Sequence, residues 1–250
     1  MNLDGFHHLR REVWKTFVDL IFPVNCRGCG KKLGYDDISS GFICLDCWKK
    51  IPIHRPPYCR RCGHPSGDLF HDKCPECKKL KKVYFRFARG VSSYSGLLRE
   101  TLHRFKYRYQ TELGTPLSEM MKDYYLSSND YGPIDRIIPV PLHPIRFRER
   151  EFNQAEILAR PLAEALKVPL DIKTLYRTRY NPPQMTLDSK ARFENVLGLF
   201  AASNPEMIRN QRILLIDDVM TTGATVNACA RTLMEEGASE VYVLVLARGD

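Results

Sequence analysis

Two groups of residues in this sequence could do chemistry. The first opens with adjacent carboxylates, Asp217 and Asp218, and runs through Val219, Met220, Thr221, Thr222, Gly223 and Ala224 to Thr225. Carboxylates accept hydrogen bonds only, so they suit sugar hydroxyls. Gly223 lets the backbone come close to a ligand, and the threonine hydroxyls add donors. A helix amino terminus, with its N–H groups and positive dipole end, suits a phosphate. Phosphate at the turn and ribose on the acids is the chemistry this order supports. An ordinary strand with a solvated acidic turn is the plainer alternative, and Asp-Asp followed by Thr-Thr-Gly-x-Thr weighs against it.

The second group is the cysteines. Eight of the nine form four Cys-x-x-Cys pairs: Cys26/Cys29, Cys44/Cys47, Cys59/Cys62 and Cys74/Cys77. Zinc takes four tetrahedral soft ligands, and two such pairs supply them. Gly30 and Gly63 follow two of the pairs, as in knuckle turns that aim two thiolates at one metal. Sequential pairing gives Cys26, Cys29, Cys44 and Cys47 for one ion, and Cys59, Cys62, Cys74 and Cys77 for the other. A cross-braced exchange of the middle pairs fits the spacing equally. Disulfides are the alternative chemistry, but no secretory signal precedes these residues, and iron–sulfur or redox roles fit four clustered pairs less well. His64 and His71 could replace a thiolate, though a surface position suits each better. Two structural zinc ions are therefore expected.

These groups need elements to position them. Residues 213–216 (Ile-Leu-Leu-Ile) predict a buried strand with the carboxylates at its carboxyl end. Residues 226–236 predict a helix stopped by Gly237, with Cys229 in the core. In a parallel sheet, ligands bind beyond the carboxyl ends of strands. Residues 83–94, 134–142, 170–179, 195–201 and 240–247 have strand character. Residues 96–109, 113–126 and 154–167 have helical character. The fold class is thus α/β: a parallel sheet flanked by helices, spanning 83–250. A small zinc-ribbon domain lies in 1–82, led by an amphipathic helix over 8–22 with Trp14, Phe17, Val18 and Ile21 on its buried side. The ribbon is too small to hold together by core alone, so its metal should be structural.

The 250 residues carry a net charge of +9. Residues 1–82 hold +7 of this and residues 83–250 hold +2. Two zinc tetrathiolates, each about −2, would lower the first third to roughly +3 and the chain to roughly +5. A basic face suited to nucleic acid remains an expectation, built from Lys31, Lys32, Lys49, Lys50, Arg55, Arg60, Arg61, Lys78, Lys79, Lys81 and Lys82. Trp48, Tyr58 and Phe70 could stack on bases, although packing the small core is the simpler role for them. No stretch is apolar enough for a membrane span, and a cytoplasmic location is expected.

Residues 213–225 resemble the phosphoribosyl-pyrophosphate (PRPP) motif of type I phosphoribosyltransferases. That resemblance implies PRPP at Asp217 to Thr225, its Mg²⁺ arriving with the pyrophosphate. It also implies pyrophosphate at the loop of Pro141, Leu142 and His143, with Arg146, Arg148 and Arg150 as guanidinium partners. Residues 184–193 resemble the family's closing lid, which makes Lys190 and Arg192 the candidate catalytic cations. The whole layout is similar to the late-competence protein F (ComF) family. The similarity rests on the paired knuckles, Phe105-Lys106-Tyr107, Val140-Pro141-Leu142-His143-Pro144, Arg150-x-Phe-Asn-Gln154, Pro183-Gln184, Arg192-x-x-Asn195-Val196 and the Asp-Asp loop. It implies a role with single-stranded DNA and other uptake proteins. One position departs from the family: Glu151 stands where glycine is usual. Two other roles fit the same residues. One is an active transferase acting on an acceptor the sequence does not name. The other is a zinc-ribbon adaptor with a vestigial PRPP site.

Overall fold

The computed structural model describes residues 24–34, 42–65, 74–79, 82–108, 110–179 and 198–249. The centre is a four-stranded sheet in which every pairing is parallel. Its order is β3 (Phe87–Ser93), β8 (Glu240–Arg248), β7 (Arg212–Met220), β4 (Arg136–Pro139). The two inner strands are nearly continuous runs of Ile, Leu and Val. Strands covered on both faces need that composition.

Alternation along the strands divides the core in two. Leu214, Ile216, Leu244 and Leu246 face α3 (Gly96–Tyr107), α4 (Gly114–Ser127) and α6 (Gln154–Leu166). Ile213, Leu215, Val243 and Val245 face α7 (Ala224–Glu235), together with the short antiparallel pair β5 (Leu175–Arg177) and β6 (Phe200–Ala202). Cys229 is fully buried in the second cluster, as the sequence predicts.

The amino-terminal module contains an antiparallel ribbon, β1 (Val24–Asn25) with β2 (Lys32–Leu33), and two short helices, α1 (Leu45–Lys49) and α2 (Pro75–Lys79). It does not stand apart. Cys26, Leu33, Ile43, Cys44, Cys47 and Ile51 belong to the same apolar cluster as Leu98, Leu102 and Phe105 of α3. The Ala88 N–H donates to the Arg61 carbonyl (2.6 Å) and the His54 N–H to the Val91 carbonyl (2.8 Å). The first half of the module thus shares its core with the sheet domain.

Other differences have local causes. Strand β7 does not stop at Ile216 but continues through both carboxylates to Met220, because β8 stays paired beside it to Arg248. The predicted arginine loop after Leu142 is a helix, α5 (Pro144–Arg150). His143 caps it by accepting from the Ile145 N–H (3.2 Å), and Pro144 occupies the first turn, where its missing N–H costs nothing. Glu151 ends that helix in the left-handed region at φ 65°. A positive φ is thus required there even with glutamate in place of glycine. The expected strand over 170–179 shortens to β5, with Leu170 making a single parallel bridge to Ile137. The expected helix over 8–22, the lid residues 184–193 with Lys190 and Arg192, and the side chains of Phe70, His71, Lys78, Lys79 and Lys81 lie outside the described residues.

Candidate functional site

Strands β4 and β7 are parallel neighbours, so the turns that follow them open at the same edge of the sheet. The Val140 N–H donates to the Ile216 carbonyl (2.8 Å), which extends that pairing past Pro139. Asn153 then ties α6 to the same place. Its side-chain amide donates to the Val140 carbonyl (3.1 Å), and its carbonyl oxygen caps the helix by accepting from the Ala155 N–H (3.1 Å). Pro141, Leu142 and His143 lead from this junction into α5.

On the β7 side, Thr221 to Gly223 make the turn into α7. Gly223 sits at the N-cap with φ 76°, a conformation that favours glycine. The Thr222 hydroxyl accepts from the Ala224 N–H (3.3 Å). Thr221 is exposed, Met220 and Ala224 are buried, and Val219 and Thr225 are partly buried. A twelve-residue helix beginning here directs its unpaired N–H groups toward the turn.

The two carboxylates are not twins. Because the backbone is still extended at 217 and 218, their side chains leave opposite faces of the strand. Asp218 goes to the α3 side, is 7% exposed, and accepts a hydrogen bond from the Lys106 ammonium at 2.7 Å. Burial opposes the Lys106 charge, but Asp218, with Asp217 behind it, outweighs that and holds the amine above its ordinary value. Asp217 goes to the α7 side, toward Cys229 and Arg177. Its packed surroundings and then the Asp218 carboxylate push it up to about 7, against the pull of Lys106 and Arg150. One carboxylate is thus paired and the other is poised near neutrality.

Lys106, Arg150 and Arg177 act on this pair, and Arg146 lies near Arg177. Lys106 contacts Asp218 directly. Arg150 acts on Asp217, lies over the Tyr107 ring at 4.9 Å, and donates to Gln154 Oε1 at 3.0 Å. Arg146 pairs with Glu149 (2.6 Å) and also repels Arg177. Desolvation first, and Arg146 second, pull Arg177 below its ordinary value, and its Nε has no hydrogen-bond partner among the described residues. Arg148 is exposed on α5. Sequence reading named Arg146 and Arg150 for this site; it saw Lys106 only within the Phe105-Lys106-Tyr107 motif, without a site role, and did not name Arg177. Lys106 lies 112 positions from Asp218, a separation no spacing rule spans. Arg177 sits in a short strand with no motif of its own. The cations outnumber the acids, so the arrangement favours a ligand carrying several negative charges next to hydroxyls.

Two further sites lie in the amino-terminal module. The sulfurs of Cys26, Cys29, Cys44 and Cys47 lie within 4.8 Å of one another, as do those of Cys59, Cys62, Cys74 and Cys77. Pairing is therefore sequential, and no cysteine forms a disulfide. Gly30 (φ 75°) and Gly63 (φ 68°) make the knuckle turns. N–H groups of Gly28 and Cys44 donate to the Cys26 sulfur. In the second cluster, thiol hydrogen bonds from Cys62 and Cys77 hold Cys59 far below its usual value, and Cys59 in turn pushes Cys77 far above. Thiols this close share protons unless a dication replaces them, which is the donor set and spacing that zinc requires. His64 is not among the ligand groups. Trp48 packs against the main core, and Tyr58 donates to Asp130 (2.9 Å) beneath Arg89. Both are used structurally.

A parallel sheet with this turn, joined to two four-cysteine clusters, defines a zinc-ribbon protein with a phosphoribosyltransferase-type domain. Comparison with known families agrees: residues 17–79 match the double zinc ribbon domain and residues 153–250 the phosphoribosyl transferase domain. The chain is 31% identical over 234 residues to the DNA utilization protein YhgH of Salmonella typhi, covering 92% of this chain and 99% of that one. It is 29% identical to competence protein F of Haemophilus influenzae, covering 91% and 98%. Among solved structures it is similar to APRTase from Giardia lamblia, with 16% identity, a TM-score of 0.38, and coverage of 56% of this chain and 72% of that one. The chain belongs to the ComF family. Among the described residues, no helix is long and apolar enough to cross a membrane.

Proposed function

We propose that this chain binds PRPP with Mg²⁺ at the shared edge of β4 and β7, and acts in the cytoplasm on single-stranded DNA during DNA uptake. The observation that carries the PRPP reading is the convergence of the Gly223 turn, the Asp217–Asp218 pair and the cations Lys106, Arg146, Arg150 and Arg177 at one end of parallel strands. The 5′-phosphate would take the turn from Thr221 to Thr225. Asp217 would accept from the ribose hydroxyls, and Arg146, Arg150 and Arg177 would meet the pyrophosphate. Mg²⁺, held with PRPP beside Asp217, would offset the charge of the pyrophosphate. Lys190 and Arg192 would close over the reacting centre. The DNA-uptake part rests on the names of the relatives, a competence protein and a DNA utilization protein, and on the basic first third. Other uptake proteins would be its partners.

Calorimetry with PRPP and Mg²⁺ tests the site. Micromolar binding is expected, together with its loss in the Asp217→Ala, Asp218→Ala double variant that remains folded. Unchanged affinity in that variant would refute the assignment. Pyrophosphate release from PRPP, measured with single-stranded DNA, nucleobases and amines in turn, then separates the two modes. Release that needs one acceptor makes the protein a transferase, and binding without release makes PRPP a ligand that sets the DNA-handling state. A steep fall of DNA affinity with salt is expected if the basic third carries it.

A further inference from the structure

Arg248, at the end of β8, is a cation in an unusual place. It is 3% exposed, and its Nε and Nη1 have no hydrogen-bond partner among the described residues. The remaining guanidinium nitrogen, Nη2, points at the Cys62 sulfur at 3.8 Å. No carboxylate pairs with it among the described ion pairs, whereas its neighbour in the fold, Arg89, has Asp130 at 2.5 Å and the carbonyls of Arg60 and Ala88. A buried guanidinium without a counter-charge is strongly disfavoured, and such groups are found paired. The second cysteine cluster supplies the missing charge. Four thiolates on one dication leave about −2, and N–H donors to the sulfurs spread that charge.

The backbone is shaped for this approach. Gly90 of β3 leaves room for Arg248, since a Cβ at position 90 would come within 2.9 Å of the Arg248 Cβ. The knuckle itself presses on β3, where a Cβ on Gly63 would meet the Ala88 carbonyl at 2.6 Å. Arg248 also touches the other site. It lies in register with Met220 across the β7–β8 pairing, and the next residue, Gly249, donates its N–H to the Met220 carbonyl (2.9 Å). A Cβ on Gly249 would lie 2.9 Å from the Thr221 methyl. One residue therefore links the Cys62 sulfur to the first residues of the turn assigned to phosphate.

We propose that Arg248 is the counter-charge of the second zinc tetrathiolate, and that through it this zinc site fixes the 220–225 turn. The second clause deepens the PRPP reading, and the first stands without it.

The test uses the full chain. Zinc release to a chromophoric chelator is followed in wild type, Arg248→Met and Arg248→Lys, with hydrogen exchange read at residues 220–225. In Arg248→Met, one of two zinc equivalents should leave about tenfold or more faster, as for loss of a donor beside a metal ligand. The other equivalent should leave at the wild-type rate, and exchange at the turn should quicken. Arg248→Lys, which keeps the charge but not the fork, should fall between the two. Equal release of both equivalents in folded Arg248→Met would overturn the counter-charge. If that variant does not fold, Arg248→Lys and stepwise stripping of wild type decide, and turn exchange unmoved by loss of the second ion would overturn the link. Exchange needs no PRPP. Failure of the PRPP reading would instead appear as wild-type protein with a responsive turn and no PRPP affinity.

Discussion

The poise of Asp217 would give the proposed PRPP binding a pH dependence that can be worked from the structure. Its carboxyl is raised from 3.8 to about 7 by desolvation and by Asp218, while Lys106 and Arg150 pull the other way. Arg177 and the Cys229 thiol are the other titratable groups near it. Only the ionised form accepts from two ribose hydroxyls without offering a competing proton. A group titrating at about 7 is roughly one tenth ionised at pH 6 and roughly nine tenths at pH 8. Affinity for PRPP with Mg²⁺ should therefore rise about tenfold between those values. The phosphates of PRPP also titrate near pH 6, so Asp217→Asn is the control. It should lower affinity and remove most of the pH slope. Stability should move the opposite way. A carboxyl raised in the folded chain binds its proton more tightly there, so stability falls as pH climbs from about 4 through 7. Calorimetric titration at five pH values, with thermal melts in the same buffers, reads both. Parallel affinity curves for wild type and Asp217→Asn would refute the argument, because the slope would then belong to the ligand alone.

Replacing Lys106 with Met leaves Asp218 buried without its cation, and urea unfolding should report a loss on the order of 3–5 kcal/mol; Asp218→Asn in the same background should recover part of it, and a loss below about 1 kcal/mol would mean the pair is solvated. Gly223→Val places a β-branched residue at φ 76°; melts should show a cost of roughly 1–3 kcal/mol, with PRPP affinity falling further than stability. Elemental analysis should find about two zinc ions per chain. Their removal should unsettle α3 as well as the ribbon, read as faster exchange at Leu98 and Leu102, because Cys26, Cys44 and Cys47 share their core. Arg177→Met should leave stability unchanged or raise it, since it removes a desolvated charge beside Arg146, yet weaken PRPP binding by about tenfold or more; equal losses in both would make Arg177 a structural residue.

Periodicity revealed much of the fold. The runs at 213–216 and 240–247 are long enough, and apolar enough on both parities, to mark buried parallel strands. The Cys-x-x-Cys spacing marked the metal clusters, because a knuckle is a local object. What periodicity missed was non-local. The extension of β7 through Asp217 and Asp218 depends on β8 remaining paired to Arg248, a property of the partner strand. The split of the two acids onto opposite faces follows from that extension, so a reading that ended the strand at Ile216 saw them as one grip. The helix at Pro144–Arg150 was hidden by its arginines, although His143-Pro144 is a cap followed by a first-turn proline. Lys106 and Arg177 arrive from separate elements: the motif around Lys106 does not say which acid it meets, and Arg177 carries no local signature.

The electrostatics of the site argue for a ligand more strongly than its shape does. Folding alone would not favour a carboxyl raised to about 7 on one face of β7 and, near it, two guanidinium groups that repel each other, one of them with a buried nitrogen lacking a partner. Each of these is a cost in the folded chain, and each would be relieved by a different part of the proposed ligand. Ribose hydroxyls and Mg²⁺ would favour the ionised form of Asp217. In the proposed complex, pyrophosphate oxygens would meet Arg146, Arg150 and Arg177 together. Asp218, by contrast, is already satisfied by Lys106 and fixes the end of β7 against α3 before any ligand arrives. The division of labour follows: Asp218 holds the strand in place, and Asp217 would change charge when the proposed ligand binds. A vestigial site would be expected to lose the costly half first. This chain keeps both halves, and the second zinc cluster stands behind the same turn through Arg248.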